Sequence, residues 1–204
     1  MTKVKICGLM EPEDVKTAIN AGADAVGFVF APSRRQLTVE TAKELADAVP
    51  SEVLKIGVFV NKALEEVERI AKEVPLDVVQ LHGDETPEYV RNLSFPTIKA
   101  LSINSFEDVQ KAAQYEVDYF LFDAPGLEFR GGSGQSFDWT LLAKANIPLE
   151  KVVLAGGLNE SNVREAINTV HPFMVDVSSG VETEQKKDAE KIRTFIRAVR
   201  DEER

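Results

Sequence analysis

The stretch KVKICGLMEPEDVKTAINAGADAVGFVF, residues 3–30, decides the fold class of this chain. Apolar, largely β-branched residues at alternate positions predict a strand over Lys3–Cys7. An amphipathic segment near Glu11–Ala21 predicts a helix that ends at Gly22. Asp24–Phe30 is a second apolar run and predicts the next strand. A strand, a helix and a second strand in this order indicate a βαβ unit with parallel strands.

The same alternation continues along the chain and gives eight strand–helix pairs. The predicted strands are Lys3–Cys7, Asp24–Phe30, Leu54–Val60, Asp77–Leu81, Thr97–Leu101, Asp118–Phe122, Lys151–Ala155 and Phe173–Ser178. The predicted helices lie near Glu11–Ala21, Val39–Ala48, Ala63–Val74, Pro87–Leu93, Phe106–Gln114, Trp139–Lys144, Ser161–Val170 and Asp188–Arg200. Eight right-handed βα units close most economically into a barrel, so residues 1–204 are predicted to form a single-domain (β/α)8 TIM barrel. A doubly wound open sheet is the alternative, because strand order cannot be read from the sequence.

Charge and composition restrict the classes of partner. The formal net charge is −10, whereas nucleic acid and anionic membranes bind basic surfaces, so neither is predicted as a partner. No apolar run approaches the roughly 20 residues of a membrane span. Met1-Thr2-Lys3-Val4-Lys5 enters the first strand without a signal peptide, and we expect a cytoplasmic protein. The single cysteine excludes an internal disulfide and a cysteine-rich metal site, and no metal is predicted.

Polar residues near several strand ends share one parity. Alternate residues of a barrel strand point into the barrel interior. The polar residues concerned are Lys5 with Cys7, Gln80 with His82, and Asp176 with Ser178, together with Lys99 and Asp123 at the ends of the fifth and sixth strands. Burying such groups without partners costs about 1–3 kcal/mol each, so their clustering predicts a functional site. TIM-barrel enzymes have their sites at the C-terminal ends of the strands.

Three of these residues have competing interpretations. An isolated free cysteine is usually a small buried hydrophobic residue, but Cys7 ends a strand two residues beyond Lys5, whose ammonium favours a thiolate. Asp123 either faces the barrel mouth or forms a turn, because Ala124-Pro125-Gly126 follows it. A histidine at a strand end is as often satisfied by hydrogen bonds as it is catalytic, and we interpret His82 as pocket lining.

Small residues follow the last three strands. The segments are Gly131-Gly132-Ser133-Gly134, Gly156-Gly157 and Ser178-Ser179-Gly180. Glycine lets backbone N–H groups approach an anion closely, and TIM barrels often bind phosphate at the loops after strands seven and eight. Each segment could instead be a tight turn or a helix cap. Three such loops at consecutive strand ends predict a phosphate site.

A pair of arginines, Arg34-Arg35, follows the second strand. One interpretation is a solvated basic turn. In an acidic protein, an arginine near the barrel mouth is also suited to bind a carboxylate, because its planar guanidinium matches the two oxygens.

Taken together, these motifs resemble the phosphoribosylanthranilate isomerase family of tryptophan biosynthesis over essentially the whole chain. The matching segments are Lys5-Ile6-Cys7-Gly8, Gly22-Ala23-Asp24-Ala25-Val26-Gly27-Phe28, Val58-Phe59-Val60-Asn61, Val79-Gln80-Leu81-His82-Gly83, Gly131-Gly132-Ser133-Gly134 with Phe137-Asp138-Trp139, Ala155-Gly156-Gly157-Leu158-Asn159, and Val175-Asp176-Val177-Ser178-Ser179-Gly180-Val181-Glu182.

The resemblance implies an aldose–ketose isomerase, an intramolecular oxidoreductase, that works without a cofactor. Its reaction is the Amadori rearrangement of N-(5-phosphoribosyl)anthranilate to 1-(2-carboxyphenylamino)-1-deoxyribulose 5-phosphate. Cys7 aligns with the family's general base and Asp123 with its general acid. Arg35 falls at the position that binds the anthranilate carboxylate, although the neighbouring Arg34 leaves open which arginine does so. The predicted substrate-binding residues are Arg35, Lys5, His82, Gly132, Ser133, Gly134, Gly156, Gly157, Asp176, Ser178, Ser179 and Gly180.

Two other functions compete with this one. The related barrel isomerase of histidine biosynthesis uses an aspartate as its base and is built from two similar halves, so Cys7 and the lack of a half-to-half repeat argue against it. A non-catalytic barrel that binds a phosphorylated metabolite is disfavoured because Cys7 and Asp123 are both retained. The predicted partner is a small phosphorylated substrate. We expect a monomer rather than a homodimer.

Overall fold

The strands of the chain close into a barrel. The structure, a computed structural model, describes residues 1–124, 137–143 and 147–201. Eight parallel strands follow one another around the barrel in sequence order, and the first pairs with the last, with Lys5 opposite Asp176. This pairing excludes the open doubly wound sheet, and the predicted TIM barrel is confirmed.

Strands and helices alternate along the chain. The barrel strands are β1 Lys3–Cys7, β2 Ala25–Val29, β3 Leu54–Phe59, β4 Val78–Leu81, β5 Thr97–Ser102, β6 Tyr119–Asp123, β7 Val152–Leu154 and β8 Met174–Val177. The helices are α1 Pro12–Ala21, α2 Val39–Asp47, α3 Leu64–Glu73, α4 Pro87–Arg91, α5 Phe106–Gln110, α6 Thr140–Ala143, α7 Val163–Val170 and α8 Ala189–Asp201. Short 3-10 helices span Lys111–Gln114, Leu149–Lys151 and Ser179–Val181. Most boundaries lie within two residues of those predicted.

One short element was not predicted. Strands β9 Glu182–Thr183 and β10 Lys186–Lys187 form an antiparallel hairpin after β8 and the 3-10 helix Ser179–Val181. The two turn residues between them, Glu184 and Gln185, have φ angles of 49° and 67°. Both therefore adopt the left-handed conformation that two-residue hairpins need, without the Asn or Gly that usually signals it.

Apolar residues form two layers. One layer fills the barrel interior, and the other lies between the strands and the surrounding helices. The interior layer contains Ala25, Ile56, Val78, Ile98, Ala100, Leu121, Val153, Ala155 and Met174. Because side chains alternate along a strand, the interior continues with polar residues toward the C-terminal strand ends. The polar residues at the C-terminal strand ends therefore lie above an apolar layer that fills the barrel interior.

The predicted place of Lys99 at the mouth is wrong. Its neighbours Ile98 and Ala100 point into the barrel, so Lys99 points away from it. The Lys99 ammonium is instead buried beside Glu85, 3.0 Å from its Oε2, and 2.7 Å from the carbonyl oxygen of Gly83. It holds the loop after β4 and does not point into the barrel interior.

In the part of the chain that the structure describes, no helix is both long and apolar enough to cross a membrane.

Candidate active site

Cys7 ends β1 at the mouth of the barrel, where its thiol is almost completely buried. Gly27 lies opposite it on β2, and a Cβ atom at Gly27 would lie 2.8 Å from the Cys7 Sγ. The glycine therefore makes room for the sulfur. On the other side, the Ser178 hydroxyl donates a hydrogen bond of 3.0 Å to the Cys7 carbonyl oxygen. These contacts fix the position of the thiol.

A buried ion pair lies one layer below Cys7. The Lys5 side chain is 0% exposed, and its Nζ lies 3.0 Å from Asp176 Oδ1 on β8. Neighbouring strands thus bring together two predicted site residues that are far apart in sequence. Such a pair is costly to break, because one partner would remain charged and buried without the other.

Opposing effects act on the protonation of Cys7. Burial raises the pKa of the thiol, while the Lys5 and Lys187 ammonium groups lower it and Asp176 raises it further. The net pKa is raised, so the expectation that Lys5 alone would favour the thiolate is only partly met. Burial also acts to lower the pKa of Lys5, but Asp176 and Cys7 outweigh it and raise this pKa. At neutral pH both groups therefore carry a proton.

Glu182 on β9 joins three cations into one cluster. Arg35 Nε and Nη2 lie 2.8 and 3.1 Å from the two oxygens of Glu182, and Lys187 Nζ lies 2.8 Å from Oε1. Arg34 also donates to this carboxylate and to the carbonyl oxygen of Gln185. Although burial opposes it, these cations lower the pKa of Glu182 to about 2. The cluster keeps the arginines in fixed positions.

Arg35, rather than Arg34, lies against Gly8, the residue that follows β1. Its side chain passes over Gly8, where a Cβ atom would collide with the arginine Cδ. Gly8 has a φ of 75°, which only glycine adopts readily. Arg35 is largely buried, whereas the Arg34 side chain is 38% exposed and points to the hairpin turn.

Asp123 ends β6 on the same face as interior Leu121. Its side chain is buried, with Oδ2 3.4 Å from His82 Nε2. The Nδ1 atom of His82 lies 3.3 Å from Gln80 Nε2. The predicted mouth position of Asp123 thus matches the structure, and His82 contacts the proposed acid directly.

Two of the three glycine-rich segments lie in the described part of the chain. Gly156 and Gly157 have φ angles of 85° and 65°, and a Cβ atom at Gly180 would collide with the carbonyl oxygen of Leu158. The loops after β7 and β8 are therefore packed against each other. Gly132, Ser133 and Gly134 lie outside the described residues. No His, Cys, Asp and Glu cluster suited to a metal ion is present in residues 1–124, 137–143 and 147–201.

Comparison with known proteins identifies the family. The family model of N-(5'phosphoribosyl)anthranilate (PRA) isomerase matches residues 4–198. The chain belongs to the N-(5'-phosphoribosyl)anthranilate isomerase family. An N-(5'-phosphoribosyl)anthranilate isomerase of Bacillus cereus (strain Q1) is 54% identical over 195 residues, which make up 95% of this chain and 96% of the relative. The resemblance seen in the motifs is confirmed, and the chain is an isomerase of tryptophan biosynthesis.

Solved structures agree with this assignment. The phosphoribosyl anthranilate isomerase of Thermotoga maritima superimposes with a TM-score of 0.91 at 40% identity, covering 98% of this chain and all of the other. A phosphoribosyl anthranilate isomerase in complex with reduced 1-(o-carboxyphenylamino)-1-deoxyribulose 5-phosphate gives a TM-score of 0.87 at 39% identity, with 98% and 100% coverage. Membership of the N-(5'-phosphoribosyl)anthranilate isomerase family favours the tryptophan-pathway enzyme over the two alternatives.

Sequence reasoning missed two charged residues of this isomerase site. Glu182 was noted only as part of a motif, and Lys187 was not selected. Both lie on the hairpin after β8, which carries no glycine or asparagine in its turn. The sequence signal for both residues is the pairing of opposite charges across the hairpin. This signal can be read only after the turn has been recognised.

Proposed function

We propose that this member of the family converts N-(5'-phosphoribosyl)anthranilate to 1-(2-carboxyphenylamino)-1-deoxyribulose 5-phosphate, with Cys7 as base and Asp123 as acid. The proposal rests on one observation. Both side chains are buried at the C-terminal ends of β1 and β6, above the same barrel interior. A solved relative binds reduced 1-(o-carboxyphenylamino)-1-deoxyribulose 5-phosphate, which is the reduced form of this product.

Asp123 performs the first step. Its carboxyl proton goes to the ring oxygen of the phosphoribosyl group while the bond from that oxygen to C1 breaks. The electron pair of the anthranilate nitrogen then forms the C1–N double bond of a protonated Schiff base. This step requires the carboxyl group in its protonated form.

Cys7 performs the second step. Its thiolate takes the proton from C2, the electron pair of that bond forms the C1–C2 double bond, and the cationic nitrogen becomes neutral. The resulting enolamine becomes the ketone when the C2 hydroxyl gives its proton to water and C1 takes one from water. Exchange with water then returns a proton to Asp123 and removes one from Cys7. A thiolate of raised pKa is scarce but strongly basic, and a strong base suits a carbon acid. Every step moves only protons and electron pairs of the substrate, so none calls for a cofactor.

Two anion sites orient the substrate. Arg35 binds the anthranilate carboxylate, because its guanidinium lies across Gly8 next to the base. The loops after β7 and β8 bind the phosphate. Among the described residues, the backbone N–H groups of Gly156, Gly157 and Ser179 donate no hydrogen bond, which leaves them for an anion. Between these two ends, the buried Lys5–Asp176 ion pair lies beneath Cys7, and Ser178 lies beside it.

Turnover of the substrate tests the proposal. The purified protein is given freshly made N-(5'-phosphoribosyl)anthranilate, and the change in anthranilate fluorescence is followed beside the Cys7→Ala and Asp123→Asn variants. We expect wild-type turnover and a loss of at least about 100-fold in kcat for each variant. Unchanged turnover in either variant would remove that residue from the mechanism. If the wild-type protein bound a product analogue but showed no turnover, it would be a binding protein and not an enzyme.

We further infer that residues 1–204 fold as one domain and act as a cytoplasmic monomer. Helix α8 packs against α1 and so joins the two ends of the chain. Only Met1, Met10 and Leu149 are large, exposed hydrophobic residues in the described part of the chain. A single thermal unfolding transition and a monomer mass by light scattering are expected. A second transition or a dimer mass would contradict these inferences, and cell fractionation tests the location.

A further inference from the structure

The guanidinium of Arg35 has two edges that can each bind a carboxylate, and one of them is occupied. Its Nε and Nη2 atoms donate to the two oxygens of Glu182, at 2.8 and 3.1 Å. A guanidinium has five N–H donors, and this contact uses two of them. The edge formed by Nη1 and Nη2 has the same forked geometry. It can therefore hold a second carboxylate in the plane of the group.

The unused edge is open to a ligand. Within the described residues, Nη1 of Arg35 donates no hydrogen bond, and it is not one of the buried polar atoms that lack a partner. The Arg35 side chain is 14% exposed, whereas the side chain of Glu182 is 5% exposed. Glu182 is thus the buried partner of the pair, and the free donors belong to the arginine.

Several contacts fix Glu182 itself. Lys187 Nζ lies 2.8 Å from its Oε1, and Arg34 donates to its Oε2. Lys187 also donates a hydrogen bond of 2.9 Å to the carbonyl oxygen of Ser178, which ties the cluster to the end of β8. A carboxylate held by three cations has little freedom to rotate. The guanidinium that it binds through two parallel hydrogen bonds therefore has a fixed plane.

Charge and position act in opposite directions in this cluster. Three cations and one carboxylate leave a formal surplus of two positive charges, which attracts an added anion. Although burial raises the pKa of Glu182, the three cations lower it to about 2, so the group is ionised at neutral pH. Its own charge repels a second carboxylate. Glu182 can therefore favour the binding of a carboxylate only through the position that it gives to Arg35.

We propose that Glu182 is a positioning residue that fixes the plane of the Arg35 guanidinium and so makes the site selective for a substrate whose aromatic ring carries a carboxylate beside the amine. The proposal rests on the proposed role of Arg35 in binding the anthranilate carboxylate. Arg35 passes over Gly8, next to the proposed base Cys7. Only a few bonds separate that carboxylate from C2 of the substrate, so a fixed guanidinium also sets where C2 lies relative to the thiol.

The binding of two matched ligands tests the proposal without turnover. One ligand is reduced 1-(o-carboxyphenylamino)-1-deoxyribulose 5-phosphate, and the other is the same molecule without its carboxyl group. Titration calorimetry gives the Kd of each, and the ratio of the two values measures the selectivity for the carboxylate. Wild type should bind the carboxylated ligand about 10-fold or more tightly, because hydrogen bonds to charged groups are the stronger ones.

The Glu182→Gln variant separates position from charge, because it keeps the size of the side chain and removes its charge. By charge alone, loss of a neighbouring anion would raise the ratio. We expect the ratio to fall to about threefold or less, because an amide has one acceptor oxygen and cannot pair with both guanidinium nitrogens. The Kd of the carboxyl-free ligand should stay within about twofold of wild type, since it lacks the group that Arg35 binds.

Exposed Glu184→Gln, in the turn of the same hairpin, is the matched control and should keep the wild-type ratio. An unchanged or higher ratio in Glu182→Gln would overturn the proposal. A parallel rise in both Kd values, with the ratio preserved, would also overturn it, because Glu182 would then only support the fold of the hairpin.

A variant of Arg35 separates this inference from the proposed function. Arg35→Gln should itself reduce the ratio, and adding Glu182→Gln should reduce it no further, because both changes act on one contact. Additive losses would contradict action through Arg35. A ratio that survives Arg35→Gln defeats the carboxylate-binding role of Arg35 in the proposed function. A ratio lost in Arg35→Gln but kept in Glu182→Gln defeats only this inference.

Discussion

The base side of the pocket, around the proposed base Cys7, and the acid side, around the proposed acid Asp123, have opposite electrostatic surroundings in the described residues. Around Cys7 lie the ammonium groups of Lys5 and Lys187, both of which act on the thiol. Around Asp123, within the described residues, no lysine or arginine lies at ion-pair distance, and the neighbouring side chain is His82. Cations are concentrated on one side of a pocket in a protein whose net charge is −10.

The difference agrees with the role proposed for each group. A base must lose its proton inside a buried pocket, and nearby cations reduce the cost of the resulting anion. An acid must keep its proton until the substrate takes it, and a nearby cation would remove that proton too early. Within the described residues, cations thus lie beside the proposed base, and no lysine or arginine lies at ion-pair distance from the proposed acid.

Removing the buried cation should have the largest effect. Lys5→Met leaves Asp176 buried without its partner, and we expect the free energy of unfolding to fall by about 3–5 kcal/mol. Loss of the ammonium also raises the pKa of Cys7 further, so kcat/KM should fall as the thiolate becomes scarcer. Urea unfolding and initial rates measure the two effects.

A double variant separates stability from catalysis. Lys5→Met with Asp176→Leu replaces the ion pair by apolar side chains and should recover most of the stability. The pKa of Cys7 should still exceed that of wild type, because Lys5 affects it more than Asp176 does. A stable Lys5→Met single variant with wild-type kcat/KM would refute the role given to this cation.

Direct titration of Cys7 is the next test. Burial raises the pKa of the thiol above 9.0, so below that pH the thiolate fraction should increase about tenfold per pH unit. Cys7 is the single cysteine, and the difference in ultraviolet absorbance from Cys7→Ser reports its thiolate alone. A thiolate fully formed at neutral pH would contradict the raised pKa.

The sequence predicted the barrel and most of the pocket because both depend on alternation along single strands. The period-two pattern indicates that Lys5 and Cys7 on β1, and Asp176 on β8, point into the barrel. This inference does not require knowing which strands pair. Lys99 shows the limit of the method. Its polarity and strand-end position suggested the mouth, but its parity relative to Ile98 and Ala100 places it on the outer face, under the loop after β4.

The remaining charges could not be predicted, because they depend on a turn and on contacts between distant segments. Glu182 and Lys187 meet only because the hairpin turns at Glu184 and Gln185, two residues that rarely adopt positive φ. The same hairpin brings Glu182 to Arg35, 147 positions away in sequence. Such an ion-pair network has no local pattern, whereas a strand or a helix has one.

Substituting Arg34 and Arg35, which lie at the outer edge of the base side, should have smaller effects. Arg35→Gln should raise KM by about 10-fold or more, since hydrogen bonds to charged groups contribute about 1.5–3 kcal/mol. Arg34→Gln removes a partly exposed group and should change KM by less than about twofold. Initial rates over a range of substrate concentrations measure both. Equal changes in KM would mean that both arginines meet the carboxylate.

The smallest expected effect concerns Glu182, which links these arginines to Lys187. Its pKa in the folded protein, about 2, lies below the ordinary 4.5, so its contribution to stability is fully present above pH 4.5 and is lost as the pH falls toward 2. The difference in free energy of unfolding between wild type and Glu182→Gln should therefore shrink over that range in urea titrations. Exposed Glu184→Gln is the control and should show no such trend. A difference independent of pH would mean that Glu182 stabilises the hairpin by its shape, and that the cations near Cys7 do not need its charge.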